Sequence, residues 1–504
     1  MKKLVALVLA AIMLLSVMSG CSGKNSSDGE KKDDLIVAIS SEPKSLDAHG
    51  SCDSSSSQVH TLIYDTLLRQ EDGGAVTPGL ADSWEWVDDL TLDLHIREGV
   101  KFHNGQALNA NDVVYSLRRA QDSEFTNWIV ATMDADNTTA LDDRNVEIKL
   151  TEPTGAMLAQ LCYLFVVDEE TIEGGADMEE QPNGTGPFIF DKWTQGDRLD
   201  FKSNKEYWGT VPAFSTLTLR LITEPSSRGM EIESGGVDIA LNIAANDIEN
   251  LEANKDVNLI KTPSYSNVFI GFNCSAEPFN NKTLRQAVSY ALDRQAIVDV
   301  VYRGSGSLAN GPIAPTIWGY NEDLVGYPHD VEKAKQLMAE AGYPDGLEIT
   351  ITVSDSQERV DIAEMVQNQL KEIGITVKVE SLENATYLDR IIDASTQMYI
   401  LGWITNTGDA DYGMYEPFHT GQPTWSNTAC YSNPAVDEQL EIGKRSTDSE
   451  VRMEAYRIAQ ELIVDDAPWV FLCNKQEVAA CRSNVQGFTV PPSARFEYNT
   501  VTFN

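Results

Sequence analysis

Residues 347–379 read LEITITVSDSQERVDIAEMVQNQLKEIGITVKV. Leu347 to Val353 alternates apolar and polar side chains, the period of a strand with one buried face. From Glu358 to Ile373 the spacing changes. Val360, Ala363, Val366, Leu370 and Ile373 recur at helical intervals and share one face, and Gly374 supplies the stop. Ile375 to Val379 then alternates again. Strand, helix and strand on short connections form a right-handed βαβ unit in a mixed sheet. The fold class is therefore α/β.

The same signals extend outward in both directions. Asp330 to Ala341 is an amphipathic helix closed by Gly342 with Pro344 just beyond, and Ser449 to Val464 is another. Thr283 to Tyr302 reads as one long amphipathic helix ended by Gly304. In the first half, Leu35 to Ile39 is a buried-strand run, followed by a polar loop through Ser54 to Ser57 and a helix around Val59 to Leu68. Leu92 to Ile96, Val146 to Leu150, Leu199 to Lys202 and Leu217 to Ile222 alternate as strands, and Asn111 to Ala120 is a helix capped by Asn109 or Asn111. No internal repeat or heptad array is visible. The 504 residues predict two to four domains with ample core, arranged as at least two lobes.

The chain carries 38 Lys and Arg against 77 Asp and Glu, a formal net charge of −39. That balance excludes a phosphate-tracking nucleic-acid binder, which needs a basic face, and docking on an anionic membrane by charge alone. The first segment follows different rules. Lys2 and Lys3 precede a short apolar run from Leu4 to Val17, then Met18-Ser-Gly-Cys21. A run this short does not span a bilayer and reads as a secretory signal peptide over residues 1–20. Its Ser-Gly-Cys ending resembles the lipobox of bacterial lipoproteins, in which the cysteine corresponding to Cys21 is acylated. Residues 21–34 read as a flexible tether. The mature body is thus expected to be extracytoplasmic and anchored to the cell membrane by lipid. Disulfides are permitted there. Cys52, Cys162, Cys274, Cys430, Cys473 and Cys481 are spaced too widely for a metal pattern. Cys473 and Cys481 flank an expected hairpin and could pair, although a core this large does not need staples and buried free thiols are the expectation.

Catalytic motifs are missing. No phosphate-binding glycine loop, zinc-protease helix or nucleophile elbow occurs. Asp134-Ala-Asp136-Asn137 and Asp409-Ala-Asp411 resemble calcium loops, but neither has the glycine and bidentate glutamate required, so both read as solvated loops. The reading is a binding protein with no catalysis, no cofactor and no metal.

Several separated blocks carry a resemblance: Pro78-Gly-Leu-Ala-Asp-Ser-Trp84, Leu94 to Gly105, Asn111 to Leu117, Gly184-Thr-Gly-Pro-Phe188, Tyr207-Trp-Gly209, Gly236 to Ala240, Leu284-Arg-Gln-Ala287, Ala291-Leu-Asp-Arg294, Glu340 to Pro344 and Gly402-Trp403. In this order they resemble the family 5 extracellular solute-binding proteins, the peptide, nickel and glutathione receptors of ABC importers. The resemblance covers nearly the whole mature chain. It implies a periplasmic-binding-protein-like two-lobed fold of the large peptide-binding type. The first lobe would come from residues 35–75, 183–271 and 484–504, with an extra subdomain at 76–182, and the second lobe from 272–483. It also implies a monomer that closes on its ligand and docks on permease subunits.

Peptide receptors of this family commonly fix the ligand ammonium with an Asp shortly after Gly-Trp; here that position is Asn406. The stretch Gly402 to Asp411 looks most like the glutathione-binding branch, so the resemblance implies glutathione or a short peptide as ligand. Candidate ligand-binding residues are Ser51, Cys52 and Asp53 in the first-lobe loop, Trp403, Asn406, Thr407, Asp409 and Asp411 in the Gly-Trp loop, and Trp425. Tyr265 and Asn267 stand just before the presumed hinge strand, and Arg359 opens a helix facing the expected cleft. Arg118 and Arg119 are expected on the subdomain surface. The alternatives are a nickel-chelate receptor using His49 or His60, and a surface sensor or hydrolase without a transport role.

Overall fold

A computed structural model of the protein describes residues 32–71 and 73–504. The signal segment, Cys21 and most of the tether lie outside the described residues. Among the described residues, no helix is long and apolar enough to cross a membrane.

One mixed eleven-stranded sheet runs through the molecule. The βαβ unit lies at one end of it. Leu347–Ser354 and Ile375–Leu382 are parallel neighbours, joined by the helix Gln357–Leu370 and a 3-10 turn. Gly374 has φ +84°, which a β-carbon would disfavour. A β-carbon on Gly346 would meet the Gly374 carbonyl at 2.0 Å, so both glycines are needed where the two turns touch.

Two long antiparallel strands, Val257–Phe272 and Trp469–Arg482, form the middle of the sheet. At about 3.3 Å per residue, the first spans roughly 50 Å, so each serves both lobes. Val268, Ile270 and Phe272 pack in one core with the helices of residues 282–302 and the βαβ unit. At the other end Ala479 and Cys481 pack with Leu35, Val37, Leu217 and Phe214. Between these halves the ladder loses register from Pro263 to Asn267. Proline cannot donate to the ladder, and here the strand passes from one lobe to the other. Val268 thus packs with the helices of residues 282–302, and Ala479 with the strands around Leu35 and Leu217. Tyr265 and Asn267 are within the crossing strand rather than before it.

A four-stranded sheet and the helix Ala110–Asp122 build the extra subdomain on the first lobe, around Leu92, Val113, Leu117 and Ile148. Asn109 caps that helix in a capping box with Asp112.

Three local readings need correction. The first helix is Ser54–Ile63, because Asp53 accepts from the amides of Ser55 and Ser56 and so starts it inside the serine run; Leu68–Gln70 is a strand. The long helix expected over 283–302 is two, Lys282–Ala291 and Arg294–Tyr302, because Asp293 caps a new start at the Ala296 amide. Cys473 and Cys481 flank no hairpin. They sit eight residues apart on one extended strand and are free, like the other described cysteines.

Candidate functional site

A cavity of about 250 Å³ opens between the lobes. The first-lobe loop brings Ser51 and Cys52 to it, the subdomain Trp128 and Tyr163, and the first crossing strand Tyr265. Asn406 comes from the Gly-Trp loop, Glu477 from the second crossing strand and Arg495 from the C-terminal segment. A second cavity of about 450 Å³ adjoins it, and Tyr163, Phe165, Tyr265, Ser493 and Arg495 line both.

The backbone positions these groups. The Tyr265 amide donates to Pro492 O and its carbonyl accepts from the Thr405 amide, so crossing strand, C-terminal segment and Gly-Trp loop meet at one residue. Asp53 is occupied by its own turn. Ser51 and Ser56 hydroxyls donate to it at 2.5 and 2.7 Å. Burial opposes its charge, but these bonds more than offset that and hold its pKa below the usual carboxylate range. Burial and the neighbouring Asp53 push the Cys52 thiol up, so it stays protonated at neutral pH.

Aromatic rings close across the cleft. Trp403 stacks on Tyr412 with centroids 5.8 Å apart, Tyr412 meets Trp128 at 5.7 Å, and Trp128 meets Tyr163 at 5.9 Å. The first two rings belong to the second lobe and the last two to the subdomain. Burial pushes the pKa of the Tyr412 hydroxyl up to about 12, and the Asn406 amide beside it opposes that shift.

Arg495 lies flat over Tyr163, 3.6 Å from the ring centroid, with Phe165 at 5.5 Å, and donates one bond to Cys162 O at 3.2 Å. No carboxylate pairs with it among the described residues, and burial lowers its pKa. Glu477 is half-buried, its side chain makes no hydrogen bond or ion pair among the described residues, and burial raises its pKa.

The remaining ligand-binding candidates do not line the cavity, whereas His60 of the nickel alternative does. Asn267 is buried and donates to Pro312 O. Arg359 reaches Leu401 O at 3.4 Å and Glu358 at 3.9 Å. Thr407 is buried beside the Asp409 amide. Asp409 and Asp411 form no solvated loop. Asp409 pairs with Arg452 at 2.7 Å and caps the helix Ala410–Phe418. Asp411 accepts from the Tyr456 hydroxyl at 3.2 Å, and burial, then the nearby Asp409, raises its pKa to about 6. Both are committed inside the second lobe, so neither offers an acceptor to the cleft. Trp425 is 58% exposed. Arg119 is not free surface: it grips Asp47 through two bonds at 2.8 and 2.5 Å, tying the subdomain to the first-lobe loop.

His49 and His60 are buried. Each donates Nε2–H to a carbonyl, Phe165 O and Ser45 O respectively, both at 3.0 Å. Burial lowers the pKa of each to about 4, so both are neutral. The His60 ring also packs edge-on against Tyr64 and Phe165.

Sequence reasoning missed Trp128, Tyr163, Glu477 and Arg495. The only trace of Arg495 in the chain is a lone cation after Pro491-Pro-Ser-Ala, and no spacing rule turns that into a cleft residue.

Compared with known proteins, the sequence pattern of bacterial extracellular solute-binding proteins, family 5 (middle region), matches residues 75–425. A glutathione-binding protein, GsiB, of Pectobacterium atrosepticum is 30% identical over 480 residues, covering 92% of this chain and 93% of that one. Among solved structures, HbpA2 of Haemophilus parasuis aligns with a TM-score of 0.85 at 26% identity, covering 94% of this chain and 100% of that one. The periplasmic binding protein DppA of Helicobacter pylori, solved with the peptide STSA, aligns at 0.78 and 27%, covering 94% and 98%. With a cleft between two lobes, two strands crossing it and a family pattern over most of its length, the chain belongs to the bacterial extracellular solute-binding proteins of family 5.

Proposed function

We propose that this protein captures glutathione or a short peptide outside the cytoplasm and delivers it to the permease of an ABC importer, held at the membrane by a lipid on Cys21. The observation that carries the ligand class is the cleft itself. It presents aromatic faces from both lobes and one unmatched group of each charge, Arg495 and Glu477. The glutathione-binding relative and the peptide-bound neighbour support the same class.

The mechanism follows from the geometry. A ligand held by Ser51 and Cys52 on one side and Asn406 on the other contacts both lobes only when they are closed. It therefore favours the closed state by its differential affinity. The irregular segment Pro263–Asn267 of the crossing strand is where backbone angles change with the least loss of ladder bonds. Closure brings Trp128 and Tyr412 together across the cleft mouth and encloses the ligand, and the closed lobes together form the surface that a permease reads.

A thermal-shift panel on residues 24–504, refolded to strip carried-over solute, tests this reading. It holds reduced and oxidised glutathione, di-, tri- and pentapeptides, and nickel with and without histidine. A ligand at 100 times its Kd adds about 2.7 kcal/mol of stability. Stabilisation by glutathione or a short peptide is expected. A response to nickel–histidine alone overturns the proposal.

A further inference from the structure

We propose that the cleft is built for a zwitterion: Glu477 receives the ligand's ammonium and Arg495 one of its carboxylates, and these two side chains decide which solutes enter. The inference rests on the capture reading above and gives it its charge pattern.

The first support is how the other enclosed arginines are satisfied. Arg294 donates to the carbonyls of Ala309, Phe471 and Tyr327. Arg285 donates to those of Phe279, Asp466 and Ala467. Arg228 reaches four carbonyls. Arg452 and Arg119 have carboxylates. Arg495 has one carbonyl and two rings. A guanidinium carries five N–H donors in a planar fork suited to a carboxylate. The Tyr163 ring lies against the guanidinium at 3.6 Å, only one protein hydrogen bond uses the fork, and Arg495 lines both cavities.

The second support is Glu477. The cation closest to it along the strand, Lys475, pairs with Glu358 at 3.4 Å and offsets the burial of Glu477 only in part, and among the described residues no cation forms an ion pair with Glu477. Burial raises its pKa and lowers that of Arg495, so each charge is disfavoured until a counter-charge arrives. An ammonium and a carboxylate on one ligand supply both.

The third support is Asn406. An amide in the Gly-Trp loop provides a hydrogen-bond acceptor but no negative charge, and Asp409 and Asp411 are spent on Arg452 and Tyr456. The carboxylate for a ligand ammonium therefore comes from the opposite wall, where Glu477 lines the same cavity as Asn406.

Calorimetric titration of the stripped protein decides it, using glutathione and the tripeptide Ala-Ala-Ala, each free, N-acetylated and C-amidated. For wild type, N-acetylation is expected to weaken binding about 10- to 100-fold, the loss of one charge-assisted bond. The Glu477→Gln variant is expected to bind the free ligand weaker by a similar factor, with no further loss on N-acetylation. Arg495→Met is expected to behave the same way toward C-amidation, and Arg495→Lys, which keeps the charge but not the fork, to fall between it and wild type. Undiminished discrimination against the acetylated ligand in Glu477→Gln, or against the amide in Arg495→Met, overturns the assignment. Equal wild-type affinity for free and end-blocked ligands overturns it without any variant. Wild-type silence toward every probe instead overturns the capture reading beneath it.

Discussion

Arg452 and Arg495 are both held flat against aromatic rings, the first over Trp318 at 4.5 Å and the second over Tyr163 at 3.6 Å. Around Arg452 the surroundings are complete: Asp409 at 2.7 Å, the Gly443 carbonyl at 3.0 Å, and a pKa raised despite burial because of Asp409. Around Arg495 they stop at one carbonyl, and the rest of the side chain borders open cavity. The residue type and its aromatic seat are alike. What differs is whether the fold supplies the counter-charge. A cation closed off with its carboxylate organises the second lobe; one left open at the meeting of two lobes waits for a carboxylate from outside.

The largest expected effect tests the closed side of this contrast. Asp409→Asn keeps the helix cap but leaves Arg452 buried without its counter-charge, and is expected to lower stability by about 3–5 kcal/mol in chemical denaturation. A loss under 1 kcal/mol would break the comparison.

Next comes Asp411, two residues along. Its folded pKa of about 6 lies above its ordinary 3.8, so the folded state binds the proton more tightly than the unfolded one. Stability contributed this way is present at low pH and is lost as pH rises from about 4 through 6. Asp411→Asn removes that loss. It is expected to be more stable than wild type by roughly 2–3 kcal/mol at pH 8 and equal to it at pH 3. Denaturation curves at the two pH values check it, and opposite signs for Asp409→Asn and Asp411→Asn at pH 8 would sharpen the distinction between a matched and an unmatched buried charge.

The smallest effect lies in the cleft. Trp128 touches Tyr412 only because the lobes are together. Trp128→Ala is expected to weaken binding of the panel ligand by about 0.5–1.5 kcal/mol, roughly 2- to 12-fold. Unchanged affinity would remove the ring bridge from the closure mechanism.

Much of the fold was legible. The βαβ unit, the Asp330 and Ser449 helices and the capped subdomain helix all lie where spacing and caps put them, because each signal is complete within a dozen residues. The misread elements had competing local signals. Asp293 interrupts a run that is otherwise helical from 283 to 302, and Asp53 turns a serine loop into a helix start. The cavity lining was legible only at four of the twelve candidate positions. Ser51, Cys52, Tyr265 and Asn406 line the cavity, but Asp409, Asp411, Arg359 and Trp425 were chosen for chemistry and loop position, and the fold directs them elsewhere.

By itself the sequence determined the α/β elements, the acidic, motif-poor character that turns attention from catalysis to binding, and the family, because each is written in short patterns or in their order along the chain. Only the tertiary structure decided which charges are matched. Arg495 meets Cys162 across 333 positions of sequence, and Arg452 meets Asp409 across 43. Matching is a property of distance in space, where electrostatic and hydrogen-bond energies fall off within a few ångströms, and no local period carries it.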